Sequence, residues 1–363
     1  MKIKAAVVYE LSGPFIIEEL ELDDPKDDEV LVRVVGTGLC NTDLGFRDGA
    51  LPTEFPVVLG HEGAGVVEKV GKNVTKVQPG DHVVMSFYSC GRCAQCKKGE
   101  PVRCELFMPG VFPGKRFDGT PTITKNGETI NAVYFSQSSF ASHALANELN
   151  VVKVDKSVPL ENLGPLGCGI QTGAGGVINS LKAEPGSSIA VFGTGSVGMS
   201  AILAAVVSGC TTIIAVDIMD ARLNKARELG ATHTVNSAKN DPIEAINKIR
   251  ANGLDYSLDC TGIPAVINKA VNSIRDGGTC GLIGLPGEDN IAHLEIHTLL
   301  HRTVYGITEG DSVPDIFIPQ LIELYKAGKF PIDKMITYYE LEDINQAVED
   351  SRSGKTLKAI LKP

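Results

Sequence analysis

No stretch of this sequence is apolar enough to span a bilayer, and its opening, MKIKAAVVYE, lacks the long apolar core of a signal peptide. Basic charge is scarce: 34 Lys and Arg stand against 44 Asp and Glu, a formal net charge of -10. A concentrated basic face, which nucleic acid or an anionic membrane would require, is therefore not expected. There is no low-complexity block and no internal repeat, and charged residues make up 21%, which argues against disorder. The expectation is a soluble cytoplasmic protein with neither nucleic acid nor membrane as partner. At 363 residues and 43% hydrophobic content, two domains can each bury a core.

Cysteine, by contrast, is plentiful. Of nine, an odd number, four fall within fifteen residues at Cys90, Cys93, Cys96 and Cys104. Without a secretory signal, a metal site is favoured over a disulfide framework. Short spacers let one loop wrap a tetrahedral ion, and four thiolates leave no position open for substrate, so such a zinc site is structural. A redox Cys-x-x-Cys pair would not need the third and fourth cysteines.

Residues 1–150 read as short strands, among them Val30–Val35, Gly65–Val70 and His82–Met85, divided by turns such as Pro79-Gly80-Asp81. The character changes near Gly164. From Ser188 to about Leu285, buried-type runs at Ile189–Phe192, Thr212–Val216, Tyr256–Asp259 and Thr279–Ile283 alternate with helical spacing at Gly198–Ser208 and Ala221–Leu229. That alternation predicts a doubly wound parallel sheet. An amphipathic Ile316–Ala327 and a strand at Leu357–Leu361 follow. The nucleotide-binding domain is thus expected as an insertion in a β-leaning domain, giving an α/β protein overall.

Gly193-Thr194-Gly195-Ser196-Val197-Gly198 fits G-x-G-x-x-G and sits where that motif has meaning, after an apolar strand and at the start of a helix. Gly193 permits the tight turn, Gly195 the approach of a pyrophosphate, and Gly198 the packing of helix on strand. Asp217, nineteen residues after Gly198, is expected to accept the adenosine-ribose hydroxyls and to repel the extra phosphate of NADP. NAD is therefore the expected cofactor, with Arg222 also within reach of the ribose.

A further ligand set is scattered. His61 lies in Gly60-His61-Glu62-Gly63-Ala64-Gly65, Cys40 in Gly38-Leu39-Cys40-Asn41-Thr42-Asp43, and Cys168 in Gly164-Pro165-Leu166-Gly167-Cys168-Gly169. Spacing alone does not unite them, and each in isolation also reads as a buried structural residue. Together with Gly71, Val74, the four-cysteine loop and the placement of Gly193–Gly198 and Asp217, they make the chain resemble the zinc-containing medium-chain alcohol dehydrogenases over essentially its whole length. Phe135–Phe140 (FSQSSF), Gly164–Ala174 (GPLGCGIQTGA) and Ile307–Asp311 (ITEGD) are similar to the benzyl alcohol and geraniol dehydrogenases within that family.

The resemblance implies a GroES-like catalytic domain at residues 1–169 and 307–363, and a Rossmann NAD-binding domain at 170–306. It implies two zinc ions per chain. Cys40, His61 and Cys168 would hold the catalytic one, where zinc lowers the pKa of an alcohol whose hydride goes to nicotinamide. Asp43 would orient His61, Glu62 would be a transient zinc partner, and Thr42 would take the alcohol proton. The substrate would be a hydrophobic aromatic or allylic primary alcohol or aldehyde. A homo-oligomer is implied too, with the long segment between Cys104 and Phe140 resembling dimeric more than tetrameric relatives.

Two departures stand out. Asn41 occupies a position where many relatives carry a cation facing the pyrophosphate, and Lys358 matches a pyrophosphate-binding Arg, which it would replace as a point charge. Gly45 replaces a His that ends the proton relay in several relatives. Phe46, Phe87 and Tyr88 are candidate pocket walls. His293, His297 and His301, spaced for one helical face, are expected to be structural, as are the core thiols Cys210, Cys260 and Cys280. The competing readings are a glutathione-dependent formaldehyde dehydrogenase, for which Arg47 and Lys115-Arg116 are the only candidate pocket cations, and a non-catalytic NAD-binding protein.

Overall fold

Alternation along the early strands decides which face they bury. In Glu29–Gly38, Val30, Val32 and Val34 pack with Val67, Val83, Met85 and Val151 in one core cluster, the two-residue period of a strand. Leu31 on the opposite face joins Ile3, Val7, Leu20 and Val58 in another. The computed structural model describes residues 1–112, 114–287 and 290–363. They form two units, one of 1–168, 313–326 and 332–363, the other of 169–312 and 327–331.

The first unit is β-rich. A five-stranded sheet runs in the order Val57–Val58, Lys2–Val8, Ile16–Leu22, Ile123–Lys125, Glu128–Ile130. A seven-stranded sheet runs Val151–Lys153, His82–Met85, Gly63–Val70, Glu29–Gly38, Lys358–Lys362, Ile336–Glu340, with His143–Asn147 also paired to Glu29–Gly38. The strand Lys358–Lys362 pairs antiparallel with the end of Glu29–Gly38, Ile360 opposite Gly38. That register brings a residue from the last strand to the turn that carries Cys40.

The second unit is a six-stranded sheet in the order His233–Asn236, Thr212–Asp217, Ser188–Phe192, Leu254–Asp259, Ile274–Leu282, Thr303–Gly306. Every pairing is parallel, and Ser188–Phe192 is buried throughout, as a strand covered on both faces must be. Helices Ser196–Val207, Asp220–Glu228, Pro242–Ile249 and Pro264–Asn272 connect the strands. The sheet order is that of a Rossmann fold. A Cβ on Gly198 would stand 2.0 Å from the Gly193 carbonyl oxygen, so the first helix can start this close to its strand only with glycine there.

The second unit begins at Gly169 and runs on to Ser312, beyond the 306/307 boundary read from the sequence. Hydrogen bonds account for the extension: Ser312 Oγ donates to Gln171 Oε1 at 3.0 Å, and Ser180 Oγ to Asp311 Oδ2 at 2.7 Å. The three spaced histidines share no helical face, because the helix there covers only Ile296–Leu299. No helix among the described residues is long and apolar enough to cross a membrane.

Candidate active site and metal centres

Cys40 caps the short helix Asn41–Arg47, His61 and Glu62 precede the strand Gly63–Val70, and Cys168 follows the turn Gly164–Gly167. Distant in sequence, they converge: one donor atom from each of Cys40, His61, Glu62 and Cys168 lies within 4.8 Å of all the others. His61 is 1% exposed. Its Nδ1 lies 2.8 Å from Asp43 Oδ1, while Nε2 is buried with no hydrogen-bond partner. An orphaned buried nitrogen of this kind costs about 1–3 kcal/mol, unless a metal takes its lone pair. Two thiols and an imidazole are a catalytic zinc donor set, so these residues fit the ion.

The ionisable groups of the cluster perturb one another. Cys40 is held well below the ordinary thiol range by the neighbouring Cys168 thiol, against the effect of burial and with help from His61. Burial works to lower His61, yet the Asp43 carboxylate outweighs it and holds the imidazole well above its usual value. Burial raises Glu62 despite the ammonium of Lys358. Thr42 Oγ1 lies 3.7 Å from Cys40 Sγ, in the first turn of the same helix.

Lys358 is deeply buried in the first unit. Read from the sequence as a pyrophosphate-binding cation, it is 1% exposed, and its Nζ reaches Glu62 Oε2 at 2.7 Å, Glu62 Oε1 at 3.0 Å and the Leu39 carbonyl at 3.1 Å. All three ammonium protons are taken up inside the first unit. Desolvation opposes the charge, but Glu62 keeps Lys358 protonated, above its ordinary value. The ammonium thus pairs with the carboxylate beside the candidate metal ligands.

Cys90, Cys93, Cys96 and Cys104 form the other cluster, their sulfurs within 4.8 Å of one another. Backbone N–H groups of Cys90 and Leu106 donate to Cys104 Sγ at 3.2 and 3.3 Å, and that of Cys93 donates to Cys90 Sγ at 3.3 Å. Backbone donors at Cys96 and Glu105 pull Cys93 down to about 6, while burial and its neighbouring thiols push Cys96 up to about 12. Four cysteine sulfurs this close could ionise together only around a cation, and the set fits a closed zinc site.

In the second unit, Gly195 caps the helix opening at Ser196, followed by Val197, which leaves N–H groups of the first turn for an anion. Asp217 is less free than its position suggests. Oδ2 accepts from Thr194 N at 2.7 Å and Thr194 Oγ1 at 2.9 Å, Oδ1 from Ile218 N at 2.8 Å and Met219 N at 3.0 Å. It braces the glycine-rich loop as well as ending its strand. Arg222, in the helix Asp220–Glu228, has a buried Nε without a hydrogen-bond partner. Asn41 is exposed in the first turn of its helix.

Phe46 and Phe87, each 1% exposed, are core residues; Phe46 packs edge-on to Tyr134 at 4.5 Å. Tyr88 lies against Phe117 at 5.2 Å. Phe135, noted in the sequence only as part of a marker stretch and not as a pocket wall, stacks on His61 with centroids 4.3 Å apart.

Residues 26–156 match the alcohol dehydrogenase GroES-like domain and residues 196–327 the zinc-binding dehydrogenase domain. The chain is 45% identical to a geraniol dehydrogenase of Castellaniella defragrans, over 99% of this chain and 97% of that protein. It belongs to the zinc-binding alcohol dehydrogenases. The crystal structure of an alcohol dehydrogenase zinc-binding domain protein from Burkholderia ambifaria superposes with a TM-score of 0.98 at 51% identity, over 100% of this chain and 99% of that one. That of benzyl alcohol dehydrogenase from Acinetobacter calcoaceticus gives 0.97 at 46%, with the same coverage. As an alcohol dehydrogenase the chain is an oxidoreductase, and the glutathione-linked alternative is not favoured. Arg47 is 6% exposed and pairs with Asp48, and Arg116, 8% exposed, is held by Glu29 and Asp23.

Proposed function

We propose that this alcohol dehydrogenase transfers hydride between a hydrophobic primary alcohol, aromatic or allylic, and NAD, with two zinc ions per chain. The observation that carries the reading is the buried, unpartnered Nε2 of His61 facing the thiols of Cys40 and Cys168. Cys40, His61 and Cys168 would hold a zinc ion there, which would supply Lewis acidity to lower the pKa of an alcohol.

The chain's own residues do the rest. Asp43 holds His61 through Nδ1, so that Nε2 is the free donor. The Thr42 hydroxyl, beside Cys40, is placed to receive the alcohol proton. Lys358 neutralises Glu62, and the two thiolates would offset the charge of a dication. The acidic Asp217 favours NAD over its 2′-phosphorylated form, and the orphaned Arg222 Nε suits a cofactor hydroxyl or phosphate oxygen. The substrate class rests on the Phe135 ring at the metal cluster and on the geraniol and benzyl alcohol relatives.

A steady-state screen of benzyl alcohol, geraniol, ethanol and hydroxymethylglutathione, each with NAD and NADP, tests the proposal. Benzyl alcohol or geraniol with NAD is expected to give the highest kcat/KM. Preference for hydroxymethylglutathione, or for NADP, would overturn the substrate or the cofactor assignment respectively.

A further inference from the structure

The segment Phe135–Phe140 is bent in a way its residues do not favour. Phe135, Ser136 and Ser138 have φ of 50°, 55° and 52°, left-handed values that each cost a non-glycine residue about 1–3 kcal/mol and persist only where the surroundings hold them. Here the surroundings are the bend that carries His61. Ser138 Oγ donates to the Val58 carbonyl at 2.7 Å, Phe140 N to that of Leu59 at 3.0 Å, and Ser139 N to that of Gly60 at 2.8 Å. The approach is so close that a Cβ on Gly60, itself at φ +95°, would stand 2.4 Å from Phe140 N.

Two side chains of this segment act on His61 itself. Gln137, 2% exposed, donates from Nε2 to the His61 carbonyl at 2.9 Å and accepts from Gly63 N at Oε1, 3.0 Å. Its amide thus pairs with the main chain on both sides of Glu62, as a neighbouring strand would. Phe135 lies on the imidazole, 24° from parallel. The Asp43 bond sets where Nδ1 points but leaves the ring free to swing about that contact, and the stacked phenyl removes the swing.

We propose that Phe135 and Gln137 are positioning residues for the His61 ligand, Phe135 fixing its ring plane and Gln137 its main chain. The inference rests on the reading of Cys40, His61 and Cys168 as a metal centre, and it explains why strain is maintained in this segment. Residues that orient a metal ligand typically govern affinity by about 10–100-fold, which separates this role from plain packing.

The test compares Phe135→Leu and Gln137→Met with Ser138→Ala, which removes the bonds of the same segment to the Val58 carbonyl and the Tyr134 N–H and none to His61. Zinc release from the holoenzyme to a chelator is followed, together with the visible spectrum of cobalt-exchanged protein. Phe135→Leu and Gln137→Met are expected to release one of two zinc ions about tenfold faster and to shift the cobalt bands. Ser138→Ala is expected to lower the melting temperature with release rate and bands unchanged. Should Gln137→Met fail to fold, Gln137→Glu serves, keeping the acceptor for Gly63 and losing the donor to His61. Wild-type release rates and spectra in Phe135→Leu and the Gln137 variant would overturn the proposal. If Cys168→Ala holds as much zinc as wild type, the metal reading itself falls, a result distinguishable from the first.

Discussion

Asp43 and His61, each 1% exposed, meet at 2.8 Å through Oδ1 and Nδ1. The same carboxylate accepts the N–H of Gly60 at 3.1 Å and of Cys40 at 3.0 Å. One side chain therefore anchors both the helix start and the bend from which two candidate ligands project. Asp43→Ala is expected to weaken zinc at this site by about 10–100-fold, measured by chelator competition. Wild-type affinity in that variant would remove Asp43 from the site's support.

Metal analysis should return two zinc ions per chain, dropping to one in Cys168→Ala with turnover lost and the fold retained. Cys96→Ala should instead lose yield or thermal stability, because a closed thiolate site contributes folding free energy. A single zinc in fully active wild-type protein would refute the assignment.

The buried Lys358–Glu62 pair leaves a distinct mark. Lys358→Met strands a buried carboxylate and is expected to destabilise the protein by about 3–5 kcal/mol in urea unfolding. Adding Glu62→Gln should restore much of that loss. Equal stability of Lys358→Met and wild type would mean that the pair is not formed.

At Asn41, a guanidinium would offer a charge-assisted bond where the amide offers a neutral one. Asn41→Arg is expected to bind NADH about tenfold more tightly, equivalent to about 1.4 kcal/mol, with slower dissociation in stopped flow. An unchanged off-rate would show that this helix start does not face the cofactor phosphates.

Asp217 combines two tasks, so its replacement should show two effects. Asp217→Ala is expected to weaken NAD and narrow the margin over NADP, and also to lower thermal stability, since four hydrogen bonds from the glycine-rich loop and the following turn converge on it. Loss of stability with undiminished discrimination would leave it a purely structural brace.

How much of this was legible depended on how local the signal was. The parallel strands, the loop of Gly193–Gly198 and the four cysteines announce themselves within a few residues, because each pattern is set by one turn or one strand. Cys40, His61 and Cys168 carry no spacing rule and were joined only through the resemblance. The pairing of Lys358 with Glu62 was not legible, since it spans 296 positions and a strand lysine is ordinarily solvated. Phe135 and Gln137 stood within a stretch already noted as distinctive, but their role depends on positive φ at non-glycine residues, which local propensity does not foretell.

Lys358–Lys362 sits inside its sheet, with Glu29–Gly38 on one side and Ile336–Glu340 on the other. During synthesis, then, the β-rich domain begins before the parallel-sheet domain and is completed after it. The parallel-sheet domain is wholly synthesised while the other still has an open sheet edge and an acid without its ammonium. Translation that stalls short of residue 358 yields a chain that is half enzyme and half client, a natural target for chaperones and proteases.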